Sequence, residues 1–169
     1  MRTHYLEKAV SFLKASGTTI SGAWVDCGCG RGVYCEALAR LGASPVIGID
    51  TRVEMLGALP KQSLAVNGNC QYLPFGDETV SGVLYVNVLH YYPRIISFVK
   101  ESYRVLYPSG HLIIIEYCQK TPTSWNPFPL SARKVVPILY QNDFNPVTTC
   151  IVDTEYRPKQ IMSASKSSS

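Results

Sequence analysis

The chain has 169 residues, 46% of them hydrophobic, and a formal net charge of +4. That is enough for one domain with a continuous core around a sheet, and too much apolar content for a disordered chain. The sixteen basic residues form no Lys/Arg run, which favours a solvated surface over a nucleic-acid patch.

From His4 to Ala15, residues Leu6, Ala9, Val10 and Leu13 fall at helical spacing, so an amphipathic helix precedes the sheet. Ser16-Gly17 ends it, and His4 and Tyr5 open it, as either a plain surface end or part of a lid. Ala23 to Asp26 is a short apolar run ending in an acid. Gly28, Gly30 and Gly32 follow, then a helical stretch from Val33 to Leu41. Val46-Ile47-Gly48-Ile49-Asp50 supplies a second buried strand that also ends in an acid. Strand, glycine loop, helix, strand and acid make a nucleoside-binding half-fold, because bare backbone at a strand end brings its amides against a ligand. A dinucleotide fingerprint wants G-x-G-x-x-G, and its third glycine would fall on Val33.

A short helix begins at Thr51 and closes at Pro60, and Leu64 to Val66 is a brief third strand. Val83 to Leu89 is a continuous apolar run, as for a strand buried on both faces, and it leads into His90-Tyr91-Tyr92-Pro93. Ile95, Ile96, Val99, Tyr103 and Leu106 mark one face of a helix; Tyr107 to Gly110 is a turn, and His111 to Glu116 the next buried strand. Gln119 to Leu130 holds Trp125, Phe128 and three of the eleven prolines, a long aperiodic loop of the kind that carries function. Ser131 caps a helix interrupted at Pro137, and Val147 to Tyr156 with the apolar piece around Ile161 reads as a terminal hairpin. Ser163 to Ser169 reads as a disordered tail. The six cysteines form no C-x-x-C pair and have no zinc-type His spacing, so no metal is expected and the thiols suit a reducing compartment. No stretch is apolar enough to span a membrane and no signal core opens the chain, so a cytoplasmic location is expected.

The G-x-G-x-G spacing behind Asp26 resembles the first motif of class I S-adenosylmethionine-dependent methyltransferases. The segment Gly68-Asn69-Cys70-Gln71-Tyr72-Leu73-Pro74-Phe75 and the block Arg104-Val105-Leu106 with Pro108 and Gly110 are similar to the ubiquinone/menaquinone-biosynthesis type. The resemblance covers residues 20 to 160. It implies an α/β fold, a Rossmann-like mostly parallel sheet with helices on both faces and a C-terminal antiparallel hairpin, in one domain over 1–162 with residues 1–16 as lid helix. It further implies S-adenosylmethionine as cofactor. Gly28 and Gly30 would lie under its methionyl part, and Asp26 would fix the loop or meet its amino group. Asp50 and the adjoining Thr51 would stand at the ribose, and Asn69 and Cys70 at the adenine. Asn69 departs from the Asp usual there, but its carbonyl still accepts a hydrogen bond. Asn87, a further cofactor-binding candidate, would end the fourth strand with His90, Tyr91 and Tyr92 beside the transferred methyl group. His90 is the candidate base, or else a satisfied packing residue. The expected acceptor is a small molecule; RNA or protein methylation, and a cofactor-binding subunit without its own activity, are the alternatives.

Overall fold

The computed structural model describes residues 2–152, 154 and 157–168. Met1, Asp153, Glu155, Tyr156 and Ser169, which fall in the expected lid helix, hairpin and tail, lie outside the described residues. In chain order the elements are α1 (Arg2–Ala15), β1 (Gly22–Cys27), α2 (Val33–Arg40), β2 (Ala43–Asp50), α3 (Val53–Leu56), β3 (Ser63–Asn67) and β4 (Val80–Val86). They continue with a 3-10 turn (Leu89–Tyr91), α4 (Ile96–Val105), β5 (Leu106–Tyr117), α5 (Ala132–Tyr140), β6 (Phe144–Val152) and β7 (Lys159–Lys166).

The seven strands form one sheet in the order β3-β2-β1-β4-β5-β7-β6. The first five run parallel, and β7 is antiparallel to both of its neighbours. The period-two alternation of the central strands sends their side chains into two separate cores. Val25, Val83, Tyr85, Leu112 and Ile114 meet Phe98 and Val99 of α4 and Val135 and Leu139 of α5. Trp24, Val46, Leu84, Ile113 and Ile115 meet Leu6, Ala9 and Leu13 of α1 and Leu38 of α2 on the other face. The expected doubly covered, mostly parallel sheet with an antiparallel finish is therefore the observed one. Trp24, fully buried, lies so close over β4 that a Cβ on Gly82 would be 2.2 Å from its Cε2 atom. The strand order reverses between β1 and β4, and that switch point opens a crevice at the carboxyl ends of these strands.

Two expectations are corrected. Tyr107 to Gly110, expected as a turn, belongs to β5, whose register against β4 shifts between the pairs Val80–Leu106 and Gly82–His111. The irregularity absorbs the extra residues without ending the strand. Ser163 to Lys166, expected as tail, is the second half of β7 and pairs with β5 and β6 at once. Polar residues are buried there because hydrogen bonds satisfy them. Ser163 donates to the Ser16 carbonyl at 2.8 Å, and the Lys166 ammonium to the Leu106 carbonyl and the Glu78 carboxylate, each at 3.0 Å. No described helix is long and apolar enough to cross a membrane.

Candidate functional site

The glycine loop leaves β1 at the switch point and is pinned to the end of β2. The Gly28 and Cys29 amides donate to the Ile49 carbonyl at 2.8 and 2.9 Å. Gly28 has φ of 73°, and a Cβ there would lie 2.4 Å from Val88 Cγ2, so only glycine permits this approach. One turn further, the Gly30 amide donates to Asp50 Oδ2 at 2.9 Å, while Asp50 Oδ1 accepts the Arg52 amide at 2.9 Å. Asp50 is 5% exposed, yet it stands at the mouth of a cavity.

That cavity, of about 320 Å³, gathers Gly28, Asp50, Thr51, Asn69, Cys70 and Asn87. Six sequence-predicted residues thus meet in one place, with Tyr91, Tyr92 and Phe98 supplying its apolar wall. A carboxylate at position 69 is not needed for the loop to hold its shape: the Asn69 side-chain oxygen accepts the Gln71 amide at 2.9 Å and turns the chain. The segment is tied down from behind by Arg104, which bonds the carbonyls of Leu73 (3.1 Å) and Phe75 (2.8 Å) and the carboxylate of Glu101. Those bonds hold the Glu101 carboxyl below its ordinary range. The two segments singled out in the sequence, Gly68 to Phe75 and the Arg104 block, are one structural unit.

Asn87 ends β4 with φ of 55° and lines a second cavity as well, of about 660 Å³. Tyr5 and Phe12 of α1, Tyr34 of α2, Tyr117 of β5 and Trp125 of the long loop form its aromatic walls. Lys8, Arg157 and Lys159 supply charge. The Lys159 ammonium donates to the Asn87 side-chain oxygen and lies 3.1 Å from the Tyr117 ring centre. Burial drives its pKa down to about 7, with the Glu116 carboxylate working the other way.

Other expected residues fall elsewhere. Asp26 lines neither cavity; it is buried with Cys35 Sγ 3.3 Å from its Oδ2, and burial raises its pKa to about 7, with the Asp50 charge adding to the effect. Gly30 lines neither, though its amide is bonded to Asp50. His90 is 1% exposed and lines neither cavity. Its Nδ1 is 2.6 Å from Glu116 Oε2, Glu116 Oε1 accepts the Leu89 amide at 3.0 Å, and the His90 carbonyl accepts the Phe128 amide at 3.0 Å. The buried carboxylate at the end of β5 holds the imidazole by Nδ1, while His90 Nε2 is buried without a hydrogen-bond partner among the described residues. Phe128 contributes backbone here, whereas Trp125 contributes its ring. Sequence reasoning missed Lys159, Arg157 and Tyr117. Their only signal was a lysine opening the final apolar run, which has no meaning until β7 is known to lie against β5.

The family model described as methyltransferase domain matches residues 25–114, more than half of the chain. An uncharacterized methyltransferase, YodH of Bacillus subtilis, is 37% identical over 105 residues, which are 58% of this chain and 44% of that protein. The demethylmenaquinone methyltransferase of Tropheryma whipplei is 32% identical over 112 residues, 62% of this chain and 45% of that one. The chain therefore spans less than half the length of these two relatives. Among solved structures, magnesium protoporphyrin IX methyltransferase from Synechocystis, with bound S-adenosylmethionine, superposes with a TM-score of 0.74 at 21% identity, over 96% of this chain and 78% of that chain. With the glycine loop, Asp50 and the Arg104 block all inside the matched span, the chain belongs to the methyltransferase domain family.

Proposed function

We propose that the protein transfers a methyl group from S-adenosylmethionine to a small-molecule acceptor. One observation carries this reading: the smaller cavity, with the glycine loop and Asp50, shares Asn87 with the larger one, so a cofactor site adjoins an acceptor site. The residues fit an adenosyl cofactor. Asp50 offers a carboxylate for a ribose diol, the slot between Cys70 and Phe98 suits a flat base, and the Gly28 backbone is bare. The bound cofactor supplies a methyl group already electrophilic on a sulfonium sulfur.

The chain's own residues then have to align and exclude water. Alignment alone supplies about 7–11 kcal/mol of the barrier. Asp50 and the bare Gly28 backbone fix the cofactor, with Gly30 holding the Asp50 carboxylate in place, Thr51 beside it, and Asn69 and Cys70 at the adenine. Asp26 holds the loop from below. Asn87 stands between the two ligands, and α1 with Trp125 walls the acceptor side. His90 positions Glu116 and the long loop and does not touch the acceptor.

Calorimetric titration with S-adenosylhomocysteine and with a nicotinamide dinucleotide tests the reading. Preferential binding of the adenosyl compound is expected. Asp50→Ala should weaken it by about 1.5–3 kcal/mol, since charge-assisted bonds are lost in a partly buried site. Tighter binding of the dinucleotide, or an Asp50→Ala variant that binds normally, would refute it.

A further inference from the structure

The larger cavity has a chemical character of its own. Its described lining residues include three cationic side chains, Lys8, Arg157 and Lys159, and no carboxylate. Arg157 and Lys159 are not loose surface charges. The Arg157 guanidinium lies 4.1 Å from the Trp125 ring centre, Trp125 meets Tyr117 edge-on at 5.2 Å, and the Lys159 ammonium caps Tyr117 at 3.1 Å. Cation, ring, ring and cation form one continuous ladder along a wall. Ring quadrupoles hold such cations in place without neutralising them, as a carboxylate partner would.

Resting on the methyl-transfer reading, we propose that the acceptor is an aromatic oxyanion, a flat ring carrying a carboxylate or phenolate group, with Lys159 as its principal anchor. Tyr5, Phe12, Tyr34 and Trp125 provide the ring surfaces against which a planar body stacks, and about 660 Å³ accommodates more than one fused ring. Lys159 is the anchor because it is 7% exposed and already donates to Asn87, the residue common to both cavities. An anion there completes the hydrogen bonding of an ammonium that burial has stripped of water. The nearby Glu116 carboxylate is hydrogen-bonded to Leu89 and His90, whereas the Lys159 ammonium bonds Asn87. A neutral aromatic would leave the ammonium unpaired, and an aliphatic acid would forfeit the ring faces.

The probe is 2-naphthoate, with 2-naphthamide as its neutral counterpart, and the readout is tryptophan emission. The chain has two tryptophans, and Trp24 is fully buried in the core, so a change on binding reports Trp125. The amide should bind about tenfold more weakly than the acid, the worth of one charge-assisted contact. Lys159→Met should bring the acid down to the level of the amide while S-adenosylhomocysteine still binds within about twofold of the parent protein. If Lys159→Met does not fold, Arg157→Gln at the exposed end of the ladder should weaken the acid selectively. Equal affinity for acid and amide, or no response to either substitution in folded protein, would overturn the proposal. So would displacement of naphthoate by S-adenosylhomocysteine, which would assign the cations to the cofactor's carboxylate. Naphthoate binding in a protein that binds no adenosyl compound would instead overturn the methyl-transfer reading and leave the anion site standing.

Discussion

Two buried charges at the site bracket neutral pH from opposite sides. Asp26 has a carboxyl raised from 3.8 to about 7, so the folded state holds a proton that the unfolded state releases near 3.8. Its contribution to stability is complete below pH 3.8 and is lost as pH rises through about 7. Lys159 has its pKa lowered from 10.5 to about 7, so its contribution is complete above 10.5 and is lost as pH falls towards 7. Asp26→Asn keeps an acceptor for the Cys35 thiol and removes the titration. The variant should gain on the parent protein by on the order of 2–4 kcal/mol between pH 4 and pH 8, read from urea midpoints. A difference that does not change across that range would mean that Asp26 does not titrate there. Asp26 was visible in the sequence as an acid before a glycine loop. That it faces Cys35 and not the crevice was hidden, because the pleat alone decides which side of β1 a residue takes.

At the level of elements, what was legible followed from periodicity. The continuous runs of β4 and β5 and the 3.6-residue spacing of α1 and α4 depend on burial that the sequence itself records. Strand β7 is the counterexample. Ser163 and Lys166 carry no hydrophobic signal, and their burial comes from being flanked by β5 and β6. No local pattern encodes a strand that is inserted between two others. The Arg104 block shows the opposite case, a motif visible without its purpose. Arg104→Ala should cost about 2 kcal/mol of stability, because it strands the Leu73 and Phe75 carbonyls and leaves Glu101 with the Leu73 amide alone. It should also weaken adenosyl binding about fivefold through the loosened Asn69–Cys70 segment, measurable by the same titration. Loss of stability with unchanged affinity would show that the segment keeps its shape without the clamp.

On the scale of the whole molecule, the last strand is a keystone. Deleting residues 163–169 removes half of β7 and with it about half of its pairing with both β5 and β6, so loss of the cooperative thermal transition is expected by circular dichroism. Deleting only Ser168 and Ser169 should alter stability by no more than about 0.5 kcal/mol. If the longer deletion melts like the intact chain, β6 and β7 are an appendage to the sheet and the topology contributes little.

The same strand imposes an order on synthesis. Every residue placed at the smaller cavity, from Gly28 to Phe98, precedes the long loop, whereas Lys159 emerges only with the closing strand. A growing chain therefore carries every lining residue of the smaller cavity some sixty residues of synthesis before it carries Lys159 of the larger one, the interval between Phe98 and Lys159. A polypeptide stopped within that interval has the lining of the first chamber and lacks the buried lysine of the second.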